Sequence, residues 1–202
     1  MKVLGPKTFD PKEAIRHRLQ FVSSRSHPCG VNMETLRFLN AHAIPMHQLH
    51  YVAFEDIEKQ PWRFTCFLNQ HEDGSWYVKT STGNREPVQQ LARDSHPAVQ
   101  LQWGLSKLPT LGGRSASEFY AGGEVIDAGF DIVRIRLVSA NGIVLEDLVE
   151  NGLVLFWSDQ EVILPVQAEL YNRSGELVIS QSTLTFPPLL PFQSGGTFRS
   201  IS

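Results

Sequence analysis

The chain has 202 residues, 42% of them hydrophobic and 19% charged, and its 18 Lys and Arg against 21 Asp and Glu leave a net charge of −3. Folding at this length buries roughly 70% of the extended chain's surface, so neither disulfides nor a structural metal is needed and a single domain is expected. The acidic balance excludes a general polyanion binder, because phosphate-backbone affinity comes from clustered Lys and Arg that release counterions. Nucleic acid and membrane are therefore not expected partners.

Met1 to Lys7 holds no apolar run of secretory length. The most apolar stretch, Leu153 to Trp157, falls far short of the roughly 18 residues of a membrane span. A cytoplasmic protein is expected, with no cofactor and with Cys29 and Cys66, which could pair, as reduced thiols by default.

Asp10-Pro11-Lys12-Glu13 reads as a helix start, with a capping carboxylate, Pro at the first helical position and Glu placed to reach back to the cap N–H. Ile15, Leu19 and Val22 recur at helical spacing and predict a helix over 11–24. A second, shorter helix is expected from Met33 to His42, capped by Asn32, with Met33, Leu36, Leu39 and Ala43 on one face. Pro45 limits its extension.

Beyond Pro45 the apolar period changes from 3.6 to 2. Trp62 to Leu68 and Trp76 to Val78 flank Glu72-Asp73-Gly74 and predict a hairpin in which His71 faces Ser75. That register places Trp62, Phe64, Cys66, Leu68, Trp76 and Val78 on one face, and a slip of one residue would mix the faces. Likewise Ala140-Asn141-Gly142 pairs Ser139 with Ile143 and gathers Val133, Ile135, Leu137, Ile143, Leu145 and Val149. Arg136 then stands opposite Glu146, and Asp147 is the misfit on the apolar face. The continuous run Leu153 to Trp157 suggests a strand covered on both faces. Strands near 48–57, 62–70, 75–82, 98–104, 118–127, 131–139, 143–150, 152–157, 162–171 and 176–184 are too many for one open sheet. The expected fold is mainly β, an antiparallel two-layer sandwich or partly closed barrel with one or two N-terminal helices. Its parts are a helical segment 1–45, a sandwich 46–185, and an extended Pro/Gly tail 186–202 carrying Phe186, Leu189, Leu190 and Phe192.

Gly123-Glu124-Val125, Val133 to Leu137, Ala140-Asn141-Gly142, Asn151 to Phe156 and Glu169 to Gly175 together form a succession of hairpins with polar-Gly turns. This pattern resembles a β-module found in many uncharacterised bacterial proteins. The resemblance implies an immunoglobulin-like or related sandwich and carries no catalytic residue with it.

Reactive groupings are sparse. His42, His47 and His50, with Cys29 upstream, fit no standard metal spacing, and Asp94-Ser95-His96 reads as turn chemistry because a catalytic triad is met in space rather than along a strand. Glu146, Asp147, Glu150, Asp159 and Glu161 read as a solvated sheet edge, except that a carboxylate at Asp147 among apolar neighbours is expected to have a perturbed pKa. Trp62, Trp76, Trp103 and Trp157 read first as core, with a ligand-binding face as the alternative. The stretch 104–117 is long for an irregular loop. Lys107, Arg114 and Ser115 in it suit an anionic group, while Leu105, Leu108 and Leu111 suit inward packing. The binding candidates are thus Lys107, Arg114, Ser115 and Asp147, with no catalytic or metal residue. The expected role is non-enzymatic, a protein partner or self-association through the apolar tail. The alternative is a small-molecule binder or enzyme with a pocket under the loop.

Overall fold

In the computed structural model, which describes residues 7–25, 30–85, 96–107 and 117–184 (backbone alone at 21–25, 107 and 183), one helix precedes eleven strands. They are α1 (Pro11–Arg25), β1 (Val31–Ile44), β2 (His47–Asp56), β3 (Pro61–Gln70), β4 (Trp76–Arg85), β5 (Ala98–Lys107) and β6 (Ser117–Ile126). There follow β7 (Ile132–Ser139), β8 (Val144–Leu148), β9 (Leu153–Ser158), β10 (Val166–Asn172) and β11 (Leu177–Leu184). The mainly-β sandwich with an N-terminal helix is what forms, and among the described residues no sheet closes into a barrel. It is built of three antiparallel sheets, ordered β1-β2-β3-β4, β5-β6-β9 and β11-β10-β7-β8.

Side-chain alternation stacks these sheets. On the first sheet Val52, Phe54, Cys66 and Leu68 face α1, where Ala14, Ile15 and Leu19 meet them. The intervening residues Leu49, Tyr51 and Phe67 face Tyr120, Leu153 and Leu155 of the β5-β6-β9 sheet. The other side of that central sheet, with Phe119, Ala121, Val154 and Phe156, packs on Ile135, Leu137, Ala168 and Leu170 of the outer sheet. The layers therefore run helix, first sheet, central sheet, outer sheet. The apolar run of β9 is explained by its place in the middle layer, covered on both faces. Full burial of Ile15 and Leu19 contributes about 1.5–3 kcal/mol each.

Both predicted hairpins form in the expected register. The His71 N–H donates to the Ser75 carbonyl at 2.8 Å, and Gly74 takes the left-handed φ of 81° that closes a three-residue loop. All six residues assigned to one face of that hairpin belong to the helix-side cluster. Arg136 lies opposite Glu146 as expected, but Glu146 pairs diagonally with Arg134, and Arg136 pairs with Glu169 directly opposite it on β10.

Three local expectations are corrected. The segment 33–42 is not a helix but lies within β1. Its alternation is broken by irregularities between Asn32 and Arg37 and between Phe38 and Asn40, and an inserted residue shifts side chains from one face to the other. Met33, Leu36 and Phe38 thus reach the α1 side at a spacing that mimics a helix. Asn32 does act as a cap, its Oδ1 accepting from the Glu34 N–H, but of a turn. The Thr35 hydroxyl then accepts the Glu55 N–H in place of a ladder carbonyl. At the start of α1 the Asp10 carboxylate caps the Lys12 N–H at 2.8 Å, yet no reciprocal capping box forms. Thr8 accepts the Asp10 N–H, and Glu13 pairs with Arg16. Finally, Gly104 to Lys107 are not loop but the end of β5, with Lys107 paired to Ser117 of β6. Leu108 to Ala116 lie outside the described residues.

Candidate functional site

Each of the three sheets ends in a strand that borders one cleft of about 310 Å³. His42 and Ile44 come from β1, Val144, Leu145 and Glu146 from β8, and Leu155, Phe156 and Trp157 from β9. The edges meet there because β8 and β9 start as a hairpin and then part. Glu150 and Leu153 exchange both backbone hydrogen bonds, but the next outward amide of β9, at Leu155, donates instead to the Asp147 carboxylate at 2.7 Å. A side chain standing in for a carbonyl ends the ladder, and the strands diverge around it.

This accounts for Asp147, the misfit of the apolar face. It projects inward from the outer sheet where the central sheet ends, half-buried, and caps an orphan N–H. Burial pushes its carboxyl above the ordinary range, opposed by the Leu155 N–H and by nearby His42.

The divergence leaves main-chain groups without ladder partners. Val149 and Ile143 bond inward to β7, so Val144, Glu146 and Leu148 turn their main-chain groups off the free edge, where the Leu148 N–H is taken up by the Asp147 carboxylate. Among the described residues no strand pairs with that edge. On β9 the same holds for Trp157, whose indole Nε1, buried beside the cleft, also has no partner among the described residues. Val144 and Leu148 are 43% and 61% exposed, so apolar side chains flank the unpaired backbone.

Behind Trp157 lies a polar cluster between the first and central sheets. Its origin is a bulge in β4: Leu68 faces Val78 but Phe67 faces Thr80, leaving Lys79 as the extra residue. Lys79 and Thr80 consequently both reach the central sheet. The Lys79 ammonium pairs with the carboxylate of Glu118, a residue only 2% exposed, and lies 5.5 Å from the Phe67 ring centroid. The Thr80 and Tyr120 hydroxyls share a hydrogen bond of 3.2 Å. His47 completes the cluster, with Nε2 4.0 Å from Glu118, Nδ1 2.9 Å from the Asn69 amide oxygen, and its ring 5.6 Å from that of Trp157. Because burial of a lone carboxylate is costly, Glu118 holds the two sheets together only while Lys79 is present.

The remaining candidates disperse. Arg114 and Ser115 lie outside the described residues, and at Lys107 only the backbone is described. The cleft's lining comes from β1, β8 and β9 and not from the ends of β5 and β6. His42 and His47 face the central sheet, whereas His50 faces α1 and Phe38; among the described residues no three His, Cys, Asp or Glu gather as metal ligands. Burial pushes the Cys66 thiol up to about 12, which leaves it unreactive. Trp62 and Trp76 pack on the helix side and Trp103 against the outer cluster, leaving Trp157 as the tryptophan that borders the cleft. Glu118, Lys79, His42 and Trp157 went unremarked as a set because no local motif joins them. The strongest signal was Asp147, whose place on an apolar face marked the cleft.

No described helix is long and apolar enough to cross a membrane. No family model, curated protein or solved structure matches the chain.

Proposed function

We propose that the chain is a protein-binding module that receives an extended segment of polypeptide along the free edge of β8. The observation that carries this is the parting of β8 and β9 at Asp147, which leaves the Val144 and Glu146 main-chain groups without a strand partner among the described residues, beside a cleft lined by both apolar and polar side chains. Unpaired strand edges recruit added strands, with main-chain bonds supplying affinity and pockets for alternate side chains supplying choice. Here the outer face offers Val144, Glu146 and Leu148 in alternation, and the inner side offers Ile44, Leu155, Phe156 and Trp157. The complementary segment is apolar-basic-apolar on one face with an aromatic or large aliphatic residue turned inward. Such recognition is non-enzymatic and agrees with the role expected from the sequence.

Selection of displayed peptides on the whole protein tests this. Extended sequences with a basic residue between apolar ones are expected to be enriched, and Glu146→Lys is expected to exchange that preference for an acidic residue. Failure to enrich any sequence, or enrichment untouched by Glu146→Lys and by Leu148→Asp, would overturn the reading.

A further inference from the structure

We infer that Asn151-Gly152 is a self-modifying site, in which the Gly152 amide nitrogen attacks the Asn151 side chain and converts it through a cyclic imide into aspartate and isoaspartate, the latter loosening the β8–β9 hairpin. The reaction needs no reagent but water and is independent of any peptide on the β8 edge.

The chain has two Asn-Gly pairs, Asn141-Gly142 and Asn151-Gly152. In both, glycine leaves the attacking nitrogen uncrowded, and both asparagines are exposed, so solvent access does not separate them. Hydrogen bonding does. At the first pair every reacting group is held. The Asn141 Nδ2 donates to the Glu161 carbonyl at 2.6 Å, its Oδ1 accepts from the Ser139 hydroxyl and, at 3.4 Å, from the Ile163 N–H, and the Gly142 N–H donates to the Ser139 carbonyl at 3.0 Å. At the second pair the Asn151 side-chain amide and the Gly152 N–H have no partner among the described residues.

The fold also leaves the second turn lightly tethered. Asn151 and Gly152 fill the two left-handed positions of a two-residue hairpin loop, with φ of 52° and 76°. Among the described residues one bridge, Glu150 to Leu153, joins the arms of that loop, because the Asp147 carboxylate takes the Leu155 N–H that would have extended the ladder. Gly152 is held besides through its carbonyl, which accepts the Val125 N–H at 2.7 Å. Ring closure rotates the link between Asn151 and Gly152 and so asks for a local opening of this turn. At Asn141 the same rotation would also break the side-chain bonds to Ser139, Glu161 and Ile163, and each bond that must break makes the opening rarer. In the reaction the Gly152 nitrogen bonds to the Asn151 Cγ, the Cγ–Nδ2 bond breaks, and the Gly152 proton passes through water to the departing ammonia. Water then opens the ring at Cγ to give aspartate, or at the main-chain carbonyl to give isoaspartate. Either product adds a negative charge beside Glu150 to a chain already at −3. Isoaspartate further lengthens the backbone by a methylene, which a two-residue loop cannot absorb while keeping the Glu150–Leu153 bridge.

Peptide mapping by mass spectrometry of the full chain, aged in neutral buffer with and without urea, is the test. In the folded chain the Asn151 peptide is expected to gain about 1 Da and to do so about tenfold faster, or more, than the Asn141 peptide. In urea, where the fold protects neither, the two rates are expected to converge. Equal rates in the folded chain, a faster Asn141, or no conversion of folded Asn151 while the urea sample converts there overturns the inference. Hydrogen exchange then reads the effect on the hairpin. In the isoaspartyl fraction, separated by chromatography, the Glu150 and Leu153 amides are expected to exchange about tenfold faster than in the Asn151→Asp variant, which carries the same charge on a backbone of normal length. Equal exchange in the two overturns the loosening of the hairpin.

Discussion

His50 offers a quantitative test of how the first sheet and α1 pack. It is 2% exposed, its ring lies 6.0 Å from that of Phe38, Nε2 shares a 2.8 Å hydrogen bond with the Gln48 side chain, and Nδ1 has no partner among the described residues. Burial lowers its pKa from 6.5 to about 4; the Lys12 charge lowers it further and the Asp10 carboxylate opposes them. Between those two values the unfolded chain takes up a proton that the folded chain refuses, so stability rises with pH across the window and is lost as pH falls through it. At about 1.4 kcal/mol per pH unit, the loss between pH 7 and pH 4 from this one group is about 3 kcal/mol. His50→Leu removes the titration while keeping an apolar side chain beside Val52 and Phe38. Urea denaturation of both proteins at pH 7, 5.5 and 4, followed by tryptophan fluorescence, isolates the effect because the carboxylates common to both cancel. The variant is expected to gain about 3 kcal/mol relative to wild type on going to pH 4. Parallel stability profiles would refute the reasoning, since they would mean that the imidazole reaches water or a compensating acid in the folded state.

Two further expectations concern the layers on either side of the central sheet. Lys79→Met leaves the Glu118 carboxylate buried without its cation and should cost about 3–5 kcal/mol in equilibrium unfolding. Adding Glu118→Leu should restore much of that loss, and a double variant as unstable as Lys79→Met alone would show that the pair is not the cause. Asp147→Ala orphans the Leu155 N–H and should cost about 1–3 kcal/mol, whereas Asp147→Asn, which keeps an acceptor oxygen, should cost less. Equal losses in the two variants, read by chemical denaturation, would place the role of Asp147 in its charge rather than in the cap.

Local patterning alone determined the start of α1, the two Gly-containing hairpins and their registers, and the strand character of most of the described residues beyond Pro45. These follow from interactions between residues close in sequence, namely a carboxylate over a first helical turn, a left-handed Gly74 closing a short loop, and side chains that must alternate to keep one face dry. The same alternation breaks down in β1, where bulged residues counterfeit a helical period, and strand pairing with β2 overrides the local signal. Tertiary structure decided the rest. Whether ten or so strands form two sheets or three depends on which edges meet, and alternation within a strand says nothing of that. The bulge that turns both Lys79 and Thr80 toward β6 is visible only when β3 lies beside β4. Asp147 announced itself in the sequence as a polar residue in an apolar row, but its purpose depends on Leu155 of another sheet. The cleft exists for the same reason: it is the space left where the edges of three sheets converge, and no single segment of the chain contains it.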